Sequence, residues 1–366
     1  MDSHKYKRGR ESSCPFAMGK GSETEVLIDT KRMWKAIVIG DAFISPDTME
    51  AALRESDLKV QYIKKLFWGS RDKNIYTKMQ QRVERYGPEA EPWAEGLEDV
   101  IEEADLIFHC YAPLCKEILE KGKELKVILT CRSGTEQIDM DYCTKRHIQV
   151  ETVVRNKTAV AEFVVGQMIA LTRNIAVSDR KMKEGTWTKN YENDIFRRSI
   201  ADQMVGIIGM GNISRELLKL LKVFGCQILV CSSHMEEEKD GCITYTKSME
   251  QVFREADIIT LQLRECEKTC NIIDRELLSL MKPSAYLINT ARAGILDYDA
   301  LYEKLAEKKI AGAALDVFPE EPFLEKRFSR LDSVLLTPHI AGDTLDAIVN
   351  APYVLMKKLK EEGKIE

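Results

Sequence analysis

Residues 204–225 read MVGIIGMGNISRELLKLLKVFG. An apolar, β-branched run breaks at Gly209, and an amphipathic run with leucines at 217, 218 and 221 begins after Gly211. That order predicts a strand, a tight turn and a helix. Gly209 permits the turn. Gly211 lets a pyrophosphate approach the N–H groups that open the helix, those of Asn212 and Ile213, where the helix dipole favours an anion. Ser214 stands where the fingerprint usually carries a third Gly or Ala, which predicts a helix set slightly farther from its strand. Two glycines alone say little; flanked by strand and helix they predict a dinucleotide-binding turn.

Outward from this stretch the alternation continues. CQILVC (226–231), ADIITLQL (256–263), SAYLINTA (284–291), AGAALDV (311–317) and SVLLTP (333–338) bring the strand candidates to six, with helices between them, as in a doubly wound dinucleotide domain. Upstream, KAIVIG (35–40), DLKVQYIKKL (57–66), ADLIFHCYAP (104–113), LKVILTC (125–131) and HIQVETV (147–153) form a separate strand series, with helical PDTMEAALRES (46–56) and a charged segment at 70–95 between them. TAVAEFVVGQMIALTRNI (158–175) is too apolar for a surface helix and is expected between domains or subunits. TLDAIVNAPYVLMKKLKEEG (344–363) reads as one long helix returning to the first series. The expected fold is α/β with two Rossmann-like domains. A doubly wound NAD(P)-binding domain (152–341) is inserted into a flavodoxin-like substrate domain (33–151 and 342–366), and residues 1–32, polar and aperiodic, form a tail.

Bulk properties narrow the function. The chain has 366 residues, a net charge of −5, 44% hydrophobic and 31% charged residues, a balance suited to a globular protein without a general basic field for nucleic acid. No apolar run reaches the ~18 residues of a membrane span. Its ten cysteines show no metal-ligand spacing and fit reduced thiols in a cytosol.

Three consecutive strand ends of the second series carry chemistry. NTARAGILD (289–297) brings up Arg292, ALDVFPEEP (314–322) brings up Asp316 and Glu321, and TPHIAG (337–342) brings up His339. In open α/β sheets ligands lie beyond the carboxyl ends of strands. Hydride exchange at a C–OH carbon requires a proton to move on the oxygen, which histidine does near neutral pH. A carboxylate such as Glu321 would fix the ring's orientation, and Arg292 offers a planar fork for a carboxylate and polarises a carbonyl.

GMGNISRELLKLLKVFG, LINTARAGILDYDAL, GAALDVFPEEP and LLTPHIAGDT together resemble the D-isomer-specific 2-hydroxyacid dehydrogenase family. The resemblance implies interconversion of a D-2-hydroxy acid and its 2-keto acid with NAD or NADP. It makes His339 the acid/base paired with Glu321, Arg292 the residue that binds and polarises substrate, and Asp316 a contact of the nicotinamide carboxamide. TCRSGTEQID (130–139) resembles the family's glycine loop, which would hold the substrate carboxylate through Ser133 and Gly134. Arg132, where a small residue is usual, would grip either a second anionic group of the substrate or a neighbouring loop. Ser232, Ser233 and Gly342 complete the expected cofactor contacts. The usual NAD-selecting acid is replaced by Ser232, which leans the expectation to NADP, although Glu236, Glu237 and Glu238 follow closely. Gln262 and Arg264 stand where His and Pro are usual, and Ala293 where Gly is common. The resemblance also implies a homodimer through the cofactor domain, with aromatic-rich WTKNYENDIF (187–196) lining the cleft or the subunit contact. The alternatives in this fold are a dinucleotide-sensing, corepressor-like binding protein and a formate- or phosphite-type dehydrogenase.

Overall fold

The computed structural model describes residues 28–236, 238–322 and 326–365. They divide into two compact units. One is contiguous, Val160–Ala341; the other combines the described residues up to Ala159 with those from Gly342 onward.

The discontinuous unit is built on β1 (Trp34–Gly40), β2 (Val60–Phe67), β3 (Leu106–His109), β4 (Val127–Thr130) and β5 (Gln149–Glu151), ordered β2-β1-β3-β4-β5 and parallel throughout. Side chains alternate across it. Ala36, Val38, Phe108 and Leu129 enter one core, and Ile37, Ile39, Ile107 and Ile128 enter the other, so both faces are covered. Edge strand β2 is half-exposed and carries Lys64 and Lys65, which discourages pairing with another chain. Ser45 caps the helix Pro46–Glu55 by accepting from Thr48 N, and Asp72 caps Lys73–Tyr86 by accepting from Asn74 N and Ile75 N.

The contiguous unit holds β6 (Met204–Ile208), β7 (Gln227–Cys231), β8 (Lys239–Asp240), β9 (Ile243–Thr246), β10 (Ile258–Leu261), β11 (Tyr286–Asn289), β12 (Gly312–Leu315) and β13 (Val334–Leu336). The sheet runs β13-β12-β11-β10-β6-β7-β9-β8, and the order reverses beside β6, the switch point of a doubly wound sheet. Leu229, Ile259, Leu287 and Leu315 fill one face; Ile228, Val230, Ile258 and Ile288 fill the other. The apolar helix Lys157–Thr172 contributes Val160, Ala161, Val164, Met168 and Leu171 to that second core, while Phe163, Val165 and Ile169 stay only partly buried. Among the described residues no single helix is long and apolar enough to cross a membrane.

Four sequence expectations need correction. The second sheet has eight strands, not six: β9 extends it in parallel beyond β7, and the two-residue β8 closes that edge antiparallel. The long C-terminal helix is two, Leu345–Val349 and Ala351–Glu361, because Pro352 is tolerated only in a first turn and starts a new helix after Asn350. The tail does not extend to residue 32. Ile28 is buried in the first core, and Arg32 bonds the buried Asp105 at 2.8 Å; residues 1–27 lie outside the described ones. The first division between units falls after Ala159 rather than after 151, since Val153 packs into the first core and its N–H donates to Arg132 O at 3.1 Å.

Candidate active site

The turn after β6 fits a dinucleotide. Gly209 has φ +101°, and a Cβ there would stand 2.6 Å from Gln262 O, so both conformation and space require glycine. Around Gly211 a Cβ would meet nothing within 4 Å. Gly211 is the N-cap of the helix Asn212–Phe224, and no side chain caps it, so the first-turn N–H groups, including those of Asn212 and Ile213, stay available to an anion. Ser214 does not sit as a bulkier substitute pushing the helix away. It is fully buried and its Oγ donates to Gly209 O at 2.8 Å, closing the turn from below. Beyond β7, Ser232 is buried, its Oγ accepting from His234 N at 3.3 Å, while Ser233 and His234 are exposed. Gln262, at the end of β10, donates to Thr260 Oγ1 at 3.0 Å and leaves its buried Oε1 without a partner. An open cradle, free helix N–H groups and a buried unpaired acceptor beside the turn fit a nicotinamide dinucleotide.

The adjacent ends of β11, β12 and β13 carry the three reactive candidates. Arg292 follows β11 in extended conformation and is exposed. Asn289 shapes its turn, accepting from Ala291 N at 3.1 Å and donating to Arg292 O at 3.1 Å. Its Nη1 donates to Ala291 O at 2.7 Å, and among the described residues Arg292 forms no ion pair, so most of its donors remain free. Glu321 follows β12. Its Oε1 accepts from Phe318 N at 3.0 Å, and its Oε2 lies 2.9 Å from His339 Nδ1. With Nδ1 facing a carboxylate, Nε2 is the ring atom left to exchange a proton with a bound molecule.

His339 follows Pro338 with φ +55°, a left-handed backbone that costs a non-glycine residue about 1 kcal/mol. The loop is held there from beneath. Asp316, fully buried, accepts from Thr337 Oγ1 at 2.6 Å, Ile340 N at 3.0 Å and Ala341 N at 2.9 Å. Thr337 Oγ1 also receives a bond from Gln167 Nε2 at 3.3 Å, which links the apolar helix to the loop. Asp316 therefore faces the His339 loop with both oxygens engaged. Sequence reasoning missed Thr337 and Gln167. Thr337, flanking Pro338, carried a weak turn signal; Gln167, a lone amide in an apolar helix, carried a stronger one, because a buried amide needs a partner.

In the other unit, Ser133 is exposed and Gly134 half-buried on the loop after β4. Arg132 is turned back into the protein. It bonds Glu84 at 2.8 Å and Glu136 at 3.2 Å, and its guanidinium lies 4.0 Å from the Tyr111 ring centroid. These partners lie on the helix Lys73–Tyr86 and on the loop of Arg132 itself. Gly342 abuts the Asn156 side chain, so this glycine has a packing neighbour inside the protein. The 187–196 segment folds on its own unit: Tyr191 OH accepts from Ser178 Oγ at 2.7 Å, and Asn193 bonds Tyr286 OH at 2.8 Å, while Trp187 and Ile195 remain exposed.

A parallel sheet with a dinucleotide turn at its switch point and a His–Glu pair two strand ends from an unpaired arginine defines a class of dinucleotide-dependent oxidoreductase folds. The profile of "D-isomer specific 2-hydroxyacid dehydrogenase, NAD binding domain" matches residues 165–341. The hydroxypyruvate reductase of Thermotoga maritima is 33% identical over 73% of this chain and 87% of its own length. The D-3-phosphoglycerate dehydrogenase of Methanocaldococcus jannaschii is 33% identical over 73% of this chain and 51% of its own, so the chain spans about half the length of that relative. The NAD-complexed D-isomer specific 2-hydroxyacid dehydrogenase of Lactobacillus delbrueckii ssp. bulgaricus superposes with a TM-score of 0.69, at 23% identity, over 90% of this chain and 98% of its own. The chain belongs to the D-isomer-specific 2-hydroxyacid dehydrogenase family.

Proposed function

We propose that the protein is an NAD(P)-dependent dehydrogenase that interconverts a D-2-hydroxy acid and its 2-keto acid. The observation that carries this reading is the 2.9 Å His339–Glu321 contact on strand ends neighbouring an exposed, unpaired Arg292, in the unit that holds the dinucleotide turn. Gly209, Gly211, Asn212, Ile213, Ser232 and Ser233 hold the dinucleotide. When bound, a nicotinamide supplies or accepts the hydride. In the reducing direction His339 Nε2 delivers a proton to the keto oxygen, and in oxidation it takes the proton back. Glu321 keeps Nδ1 occupied, orients the ring and offsets the positive charge when the imidazole is protonated. Arg292 places its fork on the carboxylate and carbonyl oxygen, polarising the bond that is reduced. The N–H groups of Ser133 and Gly134 take up the carboxylate. Asp316 positions His339 through the loop and would contact the nicotinamide carboxamide. Ser232, which bears no charge, accommodates the 2′-phosphate of NADP more readily than a carboxylate would.

The protein works in the cytosol as a homodimer through its contiguous unit. The partly open Phe163, Val165 and Ile169, with exposed Ile175, Met182, Trp187 and Ile195, support that assembly.

NADH and NADPH oxidation, measured in parallel against glyoxylate, pyruvate, hydroxypyruvate, longer branched acids and phosphorylated acids, tests the reading. Turnover should fall by roughly 10²–10⁴-fold in His339→Ala, the usual worth of a general acid/base. A His339→Ala protein that keeps most of its activity sinks the mechanism.

A further inference from the structure

The five-stranded sheet gathers ionisable groups at its carboxyl edge that this mechanism leaves unused. Asp41 follows β1, Cys110 and Tyr111 follow β3, Cys131 and Arg132 follow β4, and Arg155 lies shortly after β5. Strands β1, β3, β4 and β5 are neighbours in that order, so these groups share one rim.

Two of the charges are already matched. Arg132 is closed by Glu84, Glu136 and the face of Tyr111. Asp41 is buried and accepts from Phe43 N at 2.8 Å, Ile44 N at 2.9 Å and Tyr76 OH at 2.7 Å, so its oxygens are engaged within its own loop.

Arg155 is different. It is half-buried, and among the described residues it forms no ion pair. Its one hydrogen bond is from Nη1 to Cys110 Sγ at 3.8 Å, a weak acceptor at long range. Cys110, Tyr111, Cys131 and Asp41 are the ionisable groups around it. Burial pushes the Cys110 thiol up to about 12 and raises Tyr111 and Cys131 as well, so none of these three supplies a negative charge near neutral pH. Asp41 acts on Arg155 only at a distance, its oxygens being held by its own loop; a guanidinium largely removed from water with no anion in contact is costly, and an incoming anion relieves that cost.

The place is specific. Val153 N donates to Arg132 O at 3.1 Å, which ties the chain leading to Arg155 to the start of the 132–134 loop. Two residues beyond Val153, the Arg155 side chain reaches Cys110, just after β3. It thus lies beside the strand end from which the Ser133–Gly134 loop emerges.

We propose that Arg155 binds a second anionic group of the substrate, so that the enzyme prefers 2-keto acids carrying a further carboxylate or phosphate over monoanionic ones. This rests on the reading of the chain as a 2-hydroxyacid dehydrogenase. It also gives the role once open to Arg132 to a different residue: the arginine that, among the described residues, no carboxylate touches.

The test compares wild type, Arg155→Gln and Arg155→Lys. The acids are 2-oxoglutarate and oxaloacetate for a second carboxylate, phosphohydroxypyruvate for a phosphate, and pyruvate and glyoxylate as monoanions. Arg155→Gln should lower kcat/KM for the dianionic class that fits by on the order of 10–100-fold, the range of a buried charged hydrogen bond. Turnover of monoanions should change by less than about threefold, and Arg155→Lys should lose less on dianions than Arg155→Gln because it keeps the charge without the fork. Which dianion responds separates carboxylate from phosphate. A wild type that favours monoanions, or an Arg155→Gln protein that loses both classes by equal factors, overturns the proposal. Should Arg155→Gln not fold, Arg155→Lys carries the same comparison, and equal losses on both classes again overturn it. The thermal shift with 2-oxoglutarate or phosphohydroxypyruvate separates the two levels of inference. If no acid is turned over, yet one dianion stabilises wild type and not Arg155→Gln, the anion site stands and the reaction falls. If neither stabilises wild type, the site falls too.

Discussion

Asp41 and Asp316 occupy matching places in the two units. Each comes directly after a strand of a parallel sheet, each is buried, and each accepts two backbone N–H groups and one hydroxyl: Phe43, Ile44 and Tyr76 for Asp41; Ile340, Ala341 and Thr337 for Asp316. What they support differs. The Asp41 loop brings the partly buried Phe43 to 5.5 Å from the buried Tyr76, which Trp68 also meets at 5.5 Å. The Asp316 loop lifts an exposed imidazole onto Glu321. One device, a buried carboxylate organising the loop beyond a strand, serves packing at one edge and aim at the other. A buried carboxylate alone therefore does not mark a reacting centre; what its loop presents to solvent does.

The sharpest way to break this comparison is to remove both acceptors. Asp316→Ala leaves two N–H groups and a hydroxyl without their acceptor, each worth about 1–3 kcal/mol if left unmade, and misplaces His339, so turnover should drop by roughly 10²-fold or more. Asp41→Ala should lower Tm by a similar amount while kcat stays within about tenfold. Calorimetry beside steady-state rates reads both, and an Asp316→Ala enzyme with normal kcat would refute the positioning role.

A second contrast lies within the dinucleotide turn. Gly209→Ala forces a side chain onto φ +101° and against Gln262 O, and should destabilise the contiguous unit by about 1–2 kcal/mol or more. Gly211→Ala meets nothing in the protein. It should leave Tm nearly unchanged and weaken cofactor binding, as seen in a fluorescence titration with NADH and NADPH. Equal Tm losses in both variants would mean that Gly211 serves packing instead.

Near neutral pH the smallest effect is that of His109, which acts only in acid. Burial pushes the His109 imidazole down to about 3, against an ordinary 6.5. The unfolded chain binds that proton first, so the stability this residue contributes is complete above about 6.5 and is lost as pH falls toward 3, at up to about 1.4 kcal/mol per pH unit. His109→Gln, whose amide can still donate toward Ala112 O, should flatten the acid limb of Tm against pH. An unchanged limb assigns acid sensitivity to other groups.

Local pattern carried much of this in the sequence. Glycines between a strand and an amphipathic helix, and three strand ends bearing Arg, Glu and His, were readable because the period and the turn residues lie within a few positions of one another. Strand β9, with Thr244 and Tyr245 between Ile243 and Thr246, lacks an apolar run, and two-residue β8 has no period at all. Ser214 looked like a steric departure, and only the fold shows its hydroxyl returning to Gly209 O. Arg132 stood out beside the 132–134 loop, whereas Arg155 did not. Glu84, one of the partners that close Arg132, is distant in sequence, and the lack of an ion pair for Arg155 among the described residues has no local signature.

The division of the chain also sets an order of assembly on the ribosome. The core around β1, β3 and β4 includes Ala351, Leu355 and Leu359, which are made after the continuous Val160–Ala341. At 5–20 residues per second, the strands synthesised first wait roughly 10–40 s for the helix that seals them. Of the two units, the one begun earlier is thus the one completed later, and its Ile- and Val-rich strands are the natural clients of a chaperone during that interval.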